Sequence, residues 1–246
     1  MYGDSVEVLR DLLNIIENYK VKKIFVGAFT TMVVTRHVGL SSSLRDFCAE
    51  RENRGIKDAG SLIGRDVKEI AEYVFSDNLI EASLGMASIN SALDFSSVEF
   101  TEINAYEVLK EKGKNKKVAI IGHFPFVDKL RKYAKELFVF EKRLRRGDIP
   151  DTQIPVLLPE ADIVAISGTV LINHTFNDVM KYISTSSYKI MLGPSTPLSK
   201  IMFDYGIDLL AGVIVVDENE LFKGLSQGSS FKDLKGKKFV TMYKRL

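Results

Sequence analysis

The chain has 246 residues, of which 46% are hydrophobic and 27% charged, and its formal net charge is +2. This length suits one large domain or two modest ones, and the composition is that of a globular protein, not a disordered chain. The near-neutral balance gives no electrostatic case for nucleic acid or a membrane surface as a partner, and no apolar run nears the roughly 18 residues of a bilayer span.

In chain order, Asp4 starts the first helix with Glu7 in capping-box spacing, and Val8, Leu9, Leu12, Leu13, Ile15 and Ile16 supply its apolar stripe. Residues 21–44 are rich in β-branched side chains, with Gly27 and Gly39 as breaks, and predict two or three short strands in a meander. A polar segment over 51–60 follows, then helices over 66–75 and 78–93. The second of these carries Ala82, Ser83, Gly85, Ala87, Ser88, Ser91 and Ala92, small side chains that place it close against the other half of the protein. The lysine-rich stretch 110–117 reads as a linker.

Beyond it the pattern turns to strand, helix, strand, repeated. Strands are expected at 118–121, 137–140, 162–166, 189–192 and 212–216, and an edge strand at 239–243. Helices are expected over 127–136 and from near Thr175. Continuous apolar runs alternating with helices predict a parallel sheet covered on both faces. The fold class is α/β, with a smaller α+β domain over 1–110 and a parallel-sheet domain over 111–246.

In such a sheet, ligands sit beyond the carboxyl ends of the strands. Four polar turns fall there: Gly122-His123-Phe124-Pro125; Glu141 leading to Arg145-Arg146-Gly147-Asp148; Ser167-Gly168-Thr169 continuing to Asn173 and Thr175; and Gly193-Pro194-Ser195-Thr196-Pro197. Thr196 followed by Pro197 reads as an N-cap and first helical residue, whose free N–H groups would attract an anion. Thr175 with Asp178 reads as another cap. Glu141 lies 19 residues after Gly122, near the spacing of a ribose-binding acid. The first turn lacks the second and third glycines of a dinucleotide fingerprint, so a standard NAD site is not expected.

His123, directly after the first strand's glycine, is suited to act as acid, base, metal ligand or hydrogen-bond donor. His37 and His174 have weaker positions. No two of the three histidines and Cys48 stand at metal-ligand spacing, which argues against a structural zinc site. A metal would need ligands gathered across loops, with carboxylates such as Glu141 or Asp148. The basic clusters 114–117 and 142–146 read as solvated surface. The lone Cys48 fits a reducing compartment, and the N-terminus carries acid where a signal peptide is basic, so a cytoplasmic location is expected.

These turns, together with Val139-Phe140-Glu141, Leu158-Pro159-Glu160-Ala161-Asp162, Phe203-Asp204-Tyr205-Gly206 and Ala211-Gly212-Val213 with Asp217, resemble a prokaryotic family named for heavy-metal chelation, formerly a domain of unknown function. The first half resembles its companion domain through Gly85-Met86-Ala87-Ser88-Ile89-Asn90. The resemblance implies an enolase-N-terminal-like domain packed on a Rossmann-like domain, with a cleft between them. The expected ligand is a heavy metal, a metal chelate or a small anionic molecule. The contacts are expected from His123, Glu141, Thr169, Asn173, Thr175, Ser195, Thr196 and Asn90, with His123 the candidate metal ligand. The alternative is an enzyme acting on a small anionic or nucleotide-like substrate in the same cleft. Partners are a small molecule or metal, with neither nucleic acid nor membrane, and a homo-oligomer is compatible with the sequence.

Overall fold

The computed structural model describes residues 5–45, 55–96 and 98–244; the Asp4 cap, Cys48 and part of the 51–60 segment lie outside the described residues. Helix α1 (Ser5–Ile15) buries Val8, Leu9 and Leu12 along one face, with Ile16 just past its end. Ile15, read as part of that stripe, points outward and is 48% exposed.

Residues 21–44 form β1 (Lys23–Val26), β2 (Thr30–Val34) and β3 (Val38–Ser42), an antiparallel meander. The period of two divides β2 between two cores. Val33 faces the large central core, while Met32 and Val34 pack with Leu221 and Leu225 near the C-terminus. Helix α2 (Val67–Ala71), prolonged by a 3₁₀ turn over Glu72–Phe75, leads to α3 (Leu79–Ala92). Asn78 caps α3, its side-chain oxygen accepting from the Ile80 N–H at 3.1 Å.

The small residues of α3 serve mainly the first half's own packing, against β2, β3, α2 and the 3₁₀ turn, with a lighter contact to the second half. The expected approach to the other half is made through the helix Thr169–Ile172, while most of the packing is within the first half. The physical reason is a set of hydroxyl bonds that needs short separations. Ser41 donates to the Ser83 carbonyl at 2.6 Å, and Thr35 donates to the Ser91 carbonyl at 2.8 Å.

Helix α4 (Ala105–Lys112) takes in the start of the expected linker. The six-stranded sheet follows, from β4 (Lys117–Ile121), β5 (Glu136–Phe140), β6 (Ile163–Ser167), β7 (Tyr188–Leu192), β8 (Leu209–Val215) and β9 (Lys237–Tyr243). Their order is β5-β4-β6-β7-β8-β9, parallel except that β9 runs antiparallel to β8. Both faces are covered. Val118 and Ile120 of β4 enter one core with Val108, Leu109 and Leu130, while Ala119 and Ile121 enter the core shared with α1 and α3. The expected helix over 127–136 is only α5 (Val127–Leu130), because β5 already begins at Glu136. The remaining helices are α6 (Ile154–Leu157), α7 (Thr169–Ile172), α8 (Phe176–Met180), α9 (Ile201–Asp204) and α10 (Glu218–Ser226). The outer edge of β9 is bridged by Thr101, which exchanges backbone hydrogen bonds with Thr241 at 2.9 and 2.8 Å.

One side-chain bond ties α1 to α9's end. The Tyr205 hydroxyl donates to the Asp11 carboxylate at 2.7 Å, and burial, with Asp11 beside it, raises the phenol's pKa. A hydrogen bond to a charged group contributes about 1.5–3 kcal/mol. Tyr205→Phe is expected to lose an amount near the lower end, read from the urea midpoint at unchanged slope. An unchanged midpoint would show that the bond contributes nothing net.

Candidate functional site

The chain leaves β4 outward to β5, then returns across β4 to β6, so the strand order reverses between β4 and β6. Two loops separate there and leave a crevice at the strands' carboxyl ends. Gly122-His123 and Ser167-Gly168-Thr169 stand on its two sides. The crevice opens into a cavity of about 1570 Å³, lined by the turns after β4, β5, β6 and β7 and by Phe29 and residues 42–45 of the first sheet.

Gly168 positions one wall by being small. A Cβ there would lie 2.7 Å from the Thr196 nitrogen and 2.8 Å from the Ser195 carbonyl carbon, so the 193–196 turn rests on bare backbone. Ser195 is buried and its Oγ accepts from the Ser42 N–H at 2.9 Å, joining the end of β3 to this turn. Both sequence halves therefore build the cavity.

Within it, His123 is held from behind. Its Nδ1 lies 3.0 and 3.1 Å from the two carboxylate oxygens of Asp148, whose side chain is 0% exposed. Asp148 also accepts the Arg145 N–H at 3.0 Å. The carboxylate can only accept, so it sets the tautomer with the proton on Nδ1 and leaves the Nε2 lone pair for a ligand. The sequence reading counted Asp148 only as a carboxylate for a metal. Its use as the histidine's partner was missed, because the pairing spans 25 residues of chain that no local motif encodes.

The other expected residues divide between two cavities. Glu141, Thr169, Asn173, Thr175 and Ser195 line the large one with His123. Glu141 folds back onto its own turn, accepting from the N–H groups of Lys142 and Arg143 at 2.8 and 3.2 Å. Thr169 donates to Ser167 Oγ at 2.8 Å, and Thr175 to the Asn173 side-chain oxygen at 2.6 Å. Thr175 does occupy the N-cap position of α8, but its side chain makes no cap bond. Asn90 and Thr196 line a separate cavity of about 240 Å³. Thr196 is not a helix cap. No helix begins at Pro197; α9 starts only at Ile201, because the Ser199 N–H turns back to the Pro197 carbonyl at 2.9 Å. The free N–H groups expected there for an anion do not form.

Positive charge reaches the large cavity by another route. Arg45, Lys129, Lys142, Arg143, Arg145 and Lys232 line it, against Glu141, Asp151 and Asp178. The cluster at 142–146, read as plain surface, thus contributes to the cavity rim. Phe124 and Phe126 lie on another part of the wall with rings 5.3 Å apart and nearly parallel at 7°, and Tyr106 lies 5.8 Å from Phe126. Among the described residues, no group of three His, Cys, Asp or Glu side chains could hold a metal ion. The described residues by themselves therefore do not supply a set of three such donors for a bare metal.

Two family patterns match the chain, both described as "Putative heavy-metal chelation": DUF4213 over residues 9–93 and DUF364 over residues 104–244. An uncharacterized protein of Methanocaldococcus jannaschii is 30% identical over 181 residues, which are 71% of this chain and 70% of that protein. The chain is also similar to a crystal structure from Desulfitobacterium hafniense DCB-2, a DUF364 protein of unknown function, with 26% identity, TM-score 0.84 and 98% of each chain covered. A second DUF364 structure, from Pyrococcus horikoshii, has TM-score 0.78 at 23% identity, covering 98% of this chain and 99% of that one, and shows a shared fold.

Proposed function

This chain belongs to the DUF364 family, and from that premise we propose that its large cavity binds a small anionic ligand with a flat face, including a metal that arrives already chelated. The observation that carries this is His123, fixed by buried Asp148 at the reversal of strand order, in a cavity with more cationic than anionic side chains. The cationic rim attracts a carboxylate or phosphate. The Phe124–Phe126 wall offers an apolar face to a ring. Nε2 of His123 accepts a proton donor on the ligand, or occupies an open position of a metal that the ligand itself brings. A heavy metal named by the family description is then cargo, gripped mainly by the chelator's own donors. In this reading the sheet is Rossmann-like, residues 1–110 form the enolase-N-terminal-like companion domain, and residues 111–246 form the ligand-binding one. No helix among the described residues is long and apolar enough to cross a membrane, and we place the protein in the cytoplasm with a small molecule as its partner.

One observation favours a second reading. A buried carboxylate on Nδ1 is also what orients a histidine for acid–base work, so the same cavity suits an enzyme on a small anionic substrate.

Native mass spectrometry of the purified protein tests both. The expected result is an organic anion retained by the wild type and lost from His123→Ala, with bare zinc or nickel bound more weakly than at a thiolate site and more weakly still by the variant. Tight binding of bare metal that is equal in the two proteins would reject the proposal. Conversion of the recovered ligand on incubation would select the enzyme.

A further inference from the structure

The small cavity differs from the large one in charge. It lies where α3 and β3 meet the 193–196 turn and β8, and apolar side chains such as Leu40, Leu93, Phe95 and Leu198 form most of its wall. Among the described residues, no carboxylate, ammonium or guanidinium group lines it. Three buried polar atoms without a hydrogen-bond partner belong to residues that line this one space: His37 Nε2, Asn90 Oδ1 and Thr196 Oγ1. Asn90 is 8% exposed and Thr196 3%. A buried polar atom left unpaired loses its hydration without return, so three of them on residues that line one cavity favour an occupant that reaches them.

Their roles define what that is. Asn90 Nδ2 donates to the Leu40 carbonyl at 2.9 Å and lies 3.5 Å from that of Pro194, which fixes the amide so that its oxygen can only accept. An occupant must therefore bring a donor. Thr196 serves as donor or acceptor, and so does a neutral imidazole. Burial and neighbouring Arg36 lower the pKa of His37 and favour that neutral form. The His37 ring stacks on Phe95 at 5.0 Å, and Phe95 meets Phe100 edge-on at 5.6 Å, so the apolar end of the cavity suits a ring. We propose that this cavity is a second ligand site, distinct from the large one, for a small uncharged molecule that joins an apolar ring to a hydroxyl or amide donor.

The 193–196 turn is the partition between the two sites. Ser195 lines the large cavity, Thr196 the small one, and Pro194 both. Occupancy of the small cavity therefore acts on a wall of the large one.

Phenol and benzamide are the probes, with toluene (no donor) as the control, measured by ligand-observed NMR on the full chain. Wild type should bind phenol and benzamide more tightly than toluene. Thr196→Val, close in shape but without the hydroxyl, should weaken phenol about threefold to tenfold, and Thr196→Ser should restore it. Because the hydroxyl has no partner in the fold, Thr196→Val should leave the Tm of the free protein unchanged or raise it. His123→Ala, altered only in the large cavity, should bind phenol like wild type, which separates this site from the proposed function. The proposal is overturned if neither probe binds at millimolar concentration, if Thr196→Val binds phenol like wild type, or if Thr196→Val lowers the Tm.

Discussion

Gly39→Val is expected to leave the protein without a stable folded state. Gly39 is the second residue of β3, paired with Val33 of β2, directly under α3. A Cβ built on it would lie 2.1 Å from the Ala87 carbonyl oxygen and 2.2 Å from the Ser91 nitrogen. Both are backbone atoms of a helix, so no rotamer change can make room. The helix would have to lift as a body, breaking the Thr35–Ser91 and Ser41–Ser83 bonds that hold it down. Overpacking a core costs about 1–3 kcal/mol where side chains can yield, and more where they cannot. Against a total stability of about 5–15 kcal/mol, several such losses together exceed the margin. Gly39→Ala should show the same effect in milder form, as a large fall in the urea midpoint. Gly55, whose built Cβ has no non-neighbouring atom of the described residues within 4 Å, is the control, and Gly55→Ala should fall close to wild type. A Gly39→Ala midpoint equal to that of the control would mean that α3 rides freely over β3.

Asp148→Asn is expected to uncouple His123 from its proposed role in ligand binding while keeping the fold. Asp148 receives two donors, the imidazole Nδ1–H and the Arg145 N–H, and a carboxylate accepts both. An asparagine has one accepting oxygen. Both carboxylate oxygens lie within 3.1 Å of Nδ1, so either orientation sets the amide NH₂ beside that nitrogen and favours the tautomer with the proton on Nε2. With NH₂ in the Oδ2 place the Arg145 N–H is also left unpaired, at about 1–3 kcal/mol of stability. A proton on Nε2 removes the lone pair proposed to meet the ligand. Loss of such a supporting carboxylate typically lowers affinity about 10–100-fold. Nitrogen chemical shifts of the imidazole report the tautomer directly, and the retained ligand reports affinity. A wild-type ring already protonated on Nε2, or ligand retention undiminished in the variant, would contradict this account.

Much of the architecture was legible along the chain. The runs 118–121, 163–166 and 190–192 inside β4, β6 and β7 are apolar at every position because both sheet faces are covered, and a run of that kind has few other interpretations. The turns after them were legible for the same reason, since glycine and hydroxyl residues interrupt the apolar pattern where a parallel strand must end. What escaped were pairings set by tertiary packing. Nothing near His123 announces Asp148, because the two meet only after the chain has passed through β5 and returned. The Thr196-Pro197 pair carries the local signature of a helix start, yet the turn is pressed onto Gly168 and bonded to Ser42 through Ser195, and those contacts override the preference. The small residues of α3 revealed close approach and pointed to the other half, whereas most of it is to Gly39's own sheet and to α2 with its 3₁₀ turn.

The bridge from Thr101 to Thr241 has a bearing on how the chain reaches its native state. The two residues are 140 positions apart, so the six-stranded sheet acquires the cover on its last edge from a segment synthesised long before that edge exists. The early segment must wait with its partner not yet made, and closing a loop of that length is slow compared with pairing neighbours. Until it closes, β9 presents an open row of backbone donors and acceptors to any other chain in the same condition. Crowded expression should therefore select against slow folders among variants of residues 98–103 before it selects against unstable ones, and their defect would show as inclusion bodies from a protein whose native state, once reached, is intact.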